Sequence, residues 1–210
     1  MRVVQIFLLC LILPFLSAFM SEKSSNLTEN ADKYAQVTKD PRIVKALDFM
    51  DGTTGDWAKK AILGNNVSGK PMKILFKNLS SLSPAYTNFD ALGWQGANGQ
   101  LFIYLNMKHQ DAPPEALAST LSHEAVHQDA YCSIEEETYA WGYEADVWIQ
   151  MKKRNPELNN LSNTIPLVKR LNTLESLFKG SNYTTASIRK VVASNPGYQG
   201  LPLYSPGFGQ

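Results

Sequence analysis

"STLSHEAVHQDAYCSIEEETYAW", residues 119–141, holds two of the chain's three histidines and a run of glutamates. Within it, residues 123–127, HEAVH, fit the pattern HExxH. Side chains at positions i and i+4 of an α-helix lie on one face, one turn apart, so both imidazoles can reach one metal ion. Glu124 stands beside the first histidine, where its carboxylate can take a proton from water activated by the metal. The pattern predicts a hydrolytic zinc site.

The residues around this motif predict two helices joined by a short turn. The stretch DAPPEALASTLSHEAVHQDA predicts a helix that begins near Asp111, with proline in its first turn, and runs to about Ala130. Ser133 can cap the next helix, and Glu136 would complete a capping box. This second helix is predicted to run to about Lys153. Two helices joined so closely form an antiparallel hairpin.

The predicted hairpin ranks the carboxylates that could complete a zinc site. His127 lies five residues before Cys132 and Glu137 lies five residues after it, so the two side chains should face each other. Glu137 is therefore the predicted third ligand. Glu136 is rotated by about 100° from the Glu137 face and is the reserve candidate. Glu144 shares the Glu137 face and lies deeper, where it can hold the second nitrogen of a ligand histidine.

HEAVH followed by EETYA resembles the gluzincin zinc metallopeptidases, in which HExxH on one helix is completed by a glutamate of an E-x-x-A pattern on the next. The resemblance implies Zn²⁺ as cofactor, with ligands at His123, His127 and Glu137. It also implies that Glu124 is the general base and that the substrate is a peptide or a protein. The resemblance covers about residues 89–150.

Gluzincins also use a further histidine or tyrosine to stabilise the oxyanion. His109, Tyr131 and Tyr143 are available for this role, and the sequence does not select one of them. His109 is expected to be a loop residue. The gap from His127 to Glu137 is shorter than in most gluzincins, so Glu136 and Glu144 stay open as third ligands.

The remaining segments predict a small sheet packed on these helices. Residues 72–77 are typical of a strand, and residues 89–106 of a β-hairpin that turns at GANG. The strand QLFIYLN carries large side chains on both faces, which predicts a strand that is central or packed on two sides. It is also similar to the edge strand beside the active-site helix of zincin folds. The predicted fold class is α+β and zincin-like, with a small antiparallel sheet or hairpin packed on the active-site helix and an antiparallel helical hairpin. Further helices are predicted after Pro41, near residues 56–64, at residues 166–179 and at residues 184–194.

Residues 1–18 have the pattern of a secretory signal peptide, with Arg2, an apolar run and then small residues before a cut after Ala18. We therefore expect a secreted or periplasmic protein, with no stable membrane insertion after cleavage. The alternative is an uncleaved N-terminal membrane anchor. Cleavage would leave Cys132 as the one cysteine, which cannot form an internal disulfide.

The domain organisation follows from these assignments. A flexible segment is expected at residues 19–40, a zincin-like metallopeptidase domain at residues 41–195 and a Gly/Pro-rich tail at residues 196–210. The chain has 20 basic and 19 acidic side chains, so no basic excess indicates a nucleic-acid partner.

Two other interpretations of the motif stay open. The chain could be a zinc-binding module without turnover, acting as a binding or scaffold protein in the secretory or periplasmic space. It could also be a metal-free helical domain in which HExxH is accidental. The glutamates at residues 135–137 would then serve only the helix N-terminus.

Overall fold

A computed structural model describes residues 33–161 and 163–208 of the chain. The predicted signal peptide and most of the segment expected to be flexible lie outside the described residues. Within the described part, no helix is both long and apolar enough to cross a membrane.

Contacts divide the chain into an N-terminal unit, residues 1–35, and a second unit, residues 36–210. The described part of the second unit is α+β, as predicted, with six α-helices and one three-stranded sheet. The order is α1 (Pro41–Phe49), α2 (Asp56–Ile62), β1 (Lys73–Lys77), β2 (Ala91–Gln95), β3 (Leu101–Asn106), α3 (Pro114–Glu124), α4 (Ile134–Arg154), α5 (Pro166–Gly180) and α6 (Ala186–Ser194).

The sheet is mixed, so the prediction of an antiparallel sheet was wrong. The strand order is β1-β3-β2. Ile103 in the middle of β3 pairs with Ile74 of the parallel strand β1 and with Gly93 of the antiparallel strand β2. Because β3 is buried on both faces, it is most stable with a neighbour on each side. The strand that is similar to a zincin edge strand is therefore central, and β2 forms the edge.

Helix α3 is central to the unit, since every residue from Glu115 to Glu124 is buried. At its start, Glu115 accepts a hydrogen bond from Asn155, just beyond the end of α4, at 3.2 Å. At its end, His123 approaches Glu137, in the first turn of α4. The two helices are therefore antiparallel, as the sequence predicts.

Helix α3 ends at Glu124, so the prediction of a helix to about Ala130 was wrong. The chain tightens there, and the His127 N–H donates to the Glu124 carbonyl at 3.2 Å instead of to the carbonyl four residues back. The Gln128 side chain donates to the Ala125 carbonyl at 3.2 Å, which satisfies an acceptor at the helix end. The second histidine of the motif thus lies just outside the helix.

Helix α4 begins at the predicted cap, where Ser133 Oγ accepts a hydrogen bond from the Glu136 N–H at 3.1 Å. The Glu136 side chain does not close a capping box. Its carboxylate turns instead toward His127 and Ser205. The Glu136 carboxylate therefore lies at the histidine pair, as its place as the reserve candidate requires, and its contact with Ser205 is one that the sequence alone did not indicate.

The segment after α6, residues 195–208, packs against the start of α4, and we call it the C-terminal strap. The N–H groups of Ile134 and Glu135 donate to the carbonyls of Pro202 and Leu203 at 3.0 and 3.1 Å. N–H groups in the first turn of a helix have no partner within the helix. The strap therefore completes the hydrogen bonding of α4 near the predicted third ligand.

Helices α5 and α6 are held on α4 by a buried apolar cluster of Ala145, Leu174, Ile188 and Val192. Trp148 of α4 is fully buried, and its indole N–H donates to Asn172 of α5 at 3.1 Å. This packing fixes α5 against α4 and brings the partly buried guanidinium of Arg170 to Glu144, which lies beside His123.

Candidate metal centre

The two histidines of HExxH meet at the end of α3. The Nε2 atoms of His123 and His127 lie 3.4 Å apart. Both rings are largely buried. The tightened turn after Glu124 replaces the last turn of the predicted helix without separating the two imidazoles.

Glu137 faces both histidines from the first turn of α4. Its Oε2 lies 3.6 Å from His123 Nε2, and its Oε1 lies 3.6 Å from His127 Nε2. Atoms that bind zinc tetrahedrally at roughly 2.0–2.2 Å lie about 3.3–3.6 Å from one another. Each histidine nitrogen thus lies at about this spacing from one oxygen of Glu137, and the three side chains form a candidate metal group.

One carboxylate oxygen of Glu137 is a buried polar atom that a bound cation would satisfy. Its buried Oε2 has no hydrogen-bond partner among the described residues. Its Oε1 accepts a hydrogen bond from the Cys132 thiol at 3.3 Å, and burial together with the Glu137 charge raises the pKa of that thiol. Burial works to raise the pKa of Glu137 itself, but His127 and His123, with smaller contributions from Tyr198 and Cys132, lower it. A buried carboxylate oxygen without a partner is costly, so this donor set fits a bound metal ion.

Glu136, the reserve ligand, orients His127 instead. Its Oε1 lies 2.9 Å from His127 Nδ1, and its Oε2 accepts a hydrogen bond from Ser205 of the strap at 2.8 Å. Burial works to lower the pKa of His127, but the contact with Glu136 and the charge of Glu137 outweigh it and raise the pKa to about 9. The surroundings of His127 therefore favour a positive charge.

A second group of metal-binding residues overlaps the first. It consists of His127, Cys132 and Glu136, whose ligand atoms lie within 4.8 Å of one another. In this group His127 and Glu136 are already paired through Nδ1. Because the Nε2 atoms of both histidines face Glu137, the group with Glu137 is the stronger candidate.

Glu144 lies under His123, at the level that the sequence predicts. Its Oε2 is 3.4 Å from His123 Nδ1, but the geometry is not that of a hydrogen bond. The carboxylate is fully buried and receives two hydrogen bonds from the Arg170 guanidinium, at 2.6 and 2.7 Å, and one from Thr120 at 3.0 Å. Burial works to raise the pKa of Glu144, but Arg170 outweighs it and lowers the pKa to about 2. Glu144 is therefore an anion beside the ligand histidine.

The ion network continues from Arg170 to the start of the edge strand. Arg170 Nε lies 3.0 Å from Asp90 Oδ2, and Asp90 Oδ1 lies 2.6 Å from His109 Nε2 and 3.1 Å from Lys108 Nζ. His109 lies in a three-residue 3₁₀ turn between β3 and α3, and its side chain is buried in this network. Burial works to raise the pKa of Asp90, but His109, Arg170 and Lys108 hold it well below its usual range.

Asp90→Asn should lower the free energy of unfolding by about 2–3 kcal/mol at pH 7, because Arg170 and His109 lose their shared carboxylate. Since the pKa of Asp90 is depressed in the folded protein, this stabilisation is present above pH ~4 and is lost as the pH falls further. The difference between parent and variant should therefore shrink below pH ~4. Urea unfolding at pH 7, 5 and 3 measures it. Asp111→Asn, at an exposed position, is the control, and an equal loss in both variants would contradict the network.

Glu124 lies beside the three candidate ligands without joining them. Its Oε1 is 3.9 Å from His123 Nε2. Burial raises the pKa of Glu124, and the nearby carboxylates Glu137 and Glu144 add to the increase while the two histidines oppose it. A raised pKa is the direction expected of a carboxylate that exchanges protons near neutral pH.

Strand β2 passes close to Glu124 because residue 93 is a glycine. A Cβ at Gly93 would lie 3.3 Å from His127 Cβ and 3.5 Å from Glu124 Oε2. A larger side chain there would fill the space next to the carboxylate. The glycine therefore brings an edge-strand backbone next to the candidate metal centre.

The outer edge of β2 has unpaired backbone groups. The Asn106 N–H donates to the Asp90 carbonyl at 2.9 Å, and the Gly96 N–H donates to the Gln100 carbonyl at 2.8 Å. In an antiparallel pair the residues bonded to the partner strand alternate with residues directed away from it. The residues directed to the free edge are Ala91, Gly93 and Gln95.

Three residues of the site carry no signal in the sequence: Arg170, Tyr198 and Ser205. They lie on α5 and on the C-terminal strap, far from the motif along the chain. None belongs to a recognisable pattern with HExxH. Of the tyrosines considered from the sequence, Tyr131 is exposed at a cavity beside the site and Tyr143 donates to the Thr54 carbonyl. The tyrosine at the ligands is Tyr198, which could be found only in three dimensions.

Comparison of the chain with protein-family models, with curated proteins and with solved structures found no match. The site is therefore interpreted from its own geometry.

Proposed function

We propose that the protein is a zinc-dependent metallopeptidase of the gluzincin type, with a zincin-like arrangement of its strands and helices. One observation carries the proposal. The Nε2 atoms of His123 and His127 lie 3.4 Å apart, and each lies 3.6 Å from one oxygen of Glu137. One of these oxygens is buried and has no hydrogen-bond partner among the described residues. Glu136 and Glu144 support the two histidines from behind, as outer carboxylates do in zinc sites.

A zinc ion bound by these residues would lower the pKa of a water molecule and polarise the carbonyl of the scissile bond. Glu124 accepts the proton of the attacking water and passes it to the leaving amine. The position of Glu124, next to the ligands but not among them, supports this role. Cys132 orients Glu137 by donating a hydrogen bond to its carboxylate, and Tyr198 lines the cavity beside it.

The edge of β2 supports a peptide substrate. An extended chain can add to an open strand edge through main-chain hydrogen bonds. Ala91 and Gly93 have small or absent side chains on the face toward Glu124, so a substrate beside them could bring its scissile bond to the carboxylate. This arrangement favours peptide-bond hydrolysis over zinc binding alone.

Metal content and turnover test the proposal together. The chain from Phe19 onward, purified without a metal-affinity tag, should hold about one zinc per chain, and His127→Ala should lose it. A mixed peptide library should be cleaved by the parent, and chelation should stop the cleavage until zinc is restored. Zinc without cleavage would favour the non-catalytic zinc module. No zinc after reconstitution would overturn both interpretations.

A further inference from the structure

The candidate metal centre opens into two cavities of different chemistry. The first, of about 530 Å³, lies between β2 with its preceding turn and the C-terminal strap. Apart from the candidate ligands and Glu124, its one charged lining side chain is Asp129. Asp129 is exposed at the rim, and it accepts a hydrogen bond from the Tyr131 N–H at 2.7 Å. The inner walls are aromatic and aliphatic, and they include Phe89 and Leu201.

The second cavity, of about 450 Å³, also borders His123 and Glu124, and it shares Phe89 and Tyr198 with the first. Its lining includes Asp90, Arg170 and Thr120 of the ion network. An apolar group placed there would remove water from charged groups without replacing their hydrogen bonds, which is unfavourable. The two cavities therefore suit different parts of one substrate.

We propose that the first cavity is a specificity subsite, which binds a bulky apolar or aromatic side chain adjacent to the scissile bond of a peptide. This inference rests on the proposed peptidase function and adds the class of substrate. The cavity has the volume and the apolar lining typical of small-molecule and side-chain pockets. It borders Glu124 and the candidate ligands directly, so a side chain bound there belongs to a residue at the bond being cleaved.

The walls of the subsite are held in place by the fold. Phe89 packs against Tyr86 with ring centroids 5.3 Å apart, and the strap approaches Phe89 closely at Gly197. Tyr198 is anchored by the Trp141 indole, which donates to its hydroxyl at 3.1 Å. Apart from the candidate ligands and Glu124, a charged substrate side chain would meet no buried charged partner in this cavity, and it would lose its hydration against the apolar walls. Burial of a phenylalanine or leucine side chain instead favours binding by about 10–100-fold over alanine.

Binding of peptide hydroxamates to the zinc-loaded protein tests the subsite apart from turnover. Their zinc-directed group is constant, while the adjacent side chain is benzyl, isobutyl, methyl, aminobutyl or carboxymethyl. Calorimetry should show benzyl and isobutyl compounds binding about 10–100-fold more tightly than the methyl compound, with both charged compounds weaker than methyl. Cleavage of peptides that carry the same side chains should follow the same order.

Leu201→Lys should remove the preference for benzyl and improve binding of the carboxymethyl compound, because it places a cation in the apolar wall. Leu203→Lys is the matched control, since Leu203 lies on the same strap, is exposed and does not line the cavity. It should leave the order unchanged. Leu201→Ala, which adds no charge, should weaken benzyl binding and serves if Leu201→Lys does not fold.

The outcomes separate the subsite from the proposed function. Equal binding of benzyl and methyl hydroxamates, with zinc and cleavage intact, would overturn the subsite and leave the peptidase proposal. A benzyl preference without cleavage of any peptide would support the subsite and overturn the peptidase proposal. Zinc-loaded protein that binds none of the hydroxamates would overturn both.

Discussion

Glu124→Gln is expected to keep about one zinc per chain and to lower kcat/KM for peptide hydrolysis by about 10²–10⁴-fold. Glutamine has nearly the same shape as glutamate but cannot accept the proton of the attacking water. Glu124 is not one of the three candidate ligands, so the metal should stay bound. Atomic spectroscopy measures the zinc content per chain. Cleavage of a quenched fluorescent peptide by the same preparation gives kcat/KM.

Glu135→Gln is the matched control for this change. Glu135 lies in the first turn of α4 and pairs with Arg189 on the surface, away from the ligands. It should change neither zinc content nor kcat/KM by more than about twofold. A Glu124→Gln protein that cleaves at the parent rate would show that another group accepts the proton. Loss of zinc in Glu124→Gln would place Glu124 among the ligands.

Glu137→Gln is expected to weaken zinc binding more than Glu136→Gln, although the two glutamates are neighbours. Loss of an outer carboxylate costs about 10–100-fold in metal affinity, which is the expectation for Glu136→Gln. Glu137→Gln replaces the anion of a candidate ligand by a neutral amide, so it should lower the zinc affinity by more than about 100-fold. Competition with a chromophoric chelator measures the affinity of both variants.

The comparison of these two variants decides between the two metal groups. A larger loss in Glu136→Gln would favour the group of His127, Cys132 and Glu136. Cys132→Ser then provides the check, since it should have little effect on zinc if Glu137 is the ligand. Thermal unfolding of the metal-free variants shows whether any loss of zinc reflects loss of the fold instead.

Local sequence predicted most of the elements because their signals are short-range. Ser133 marked the start of α4, and the two prolines after Asp111 marked the start of α3 to within a few residues. The spacing of His123 and His127 predicted that their rings meet, and they do so even though the helix ends between them. The equal spacing of His127 and Glu137 on either side of Cys132 predicted that these two side chains face each other. In a short helical hairpin, few other pairs of side chains can do so.

The arrangement of the sheet could not be predicted in the same way. The large side chains on both faces of QLFIYLN indicated that both faces of β3 are buried. The sequence did not indicate that β3 pairs with β1, which comes from an earlier segment of the chain. Parallel pairing leaves no turn signal in the sequence, whereas the antiparallel hairpin leaves GANG. The bulk on both faces therefore agrees with the central position of this strand, whereas the resemblance to a zincin edge strand does not.

The sequence by itself determined the candidate ligands His123, His127 and Glu137 and the candidate base Glu124, because helical periodicity and one short turn fix which of these side chains share a side. Only the tertiary structure decided what surrounds them. Packing of α5 and the C-terminal strap on α4 brings in a guanidinium, a tyrosine and a serine from distant parts of the chain. Such contacts depend on how apolar faces are buried together, and a single sequence carries no local record of that choice.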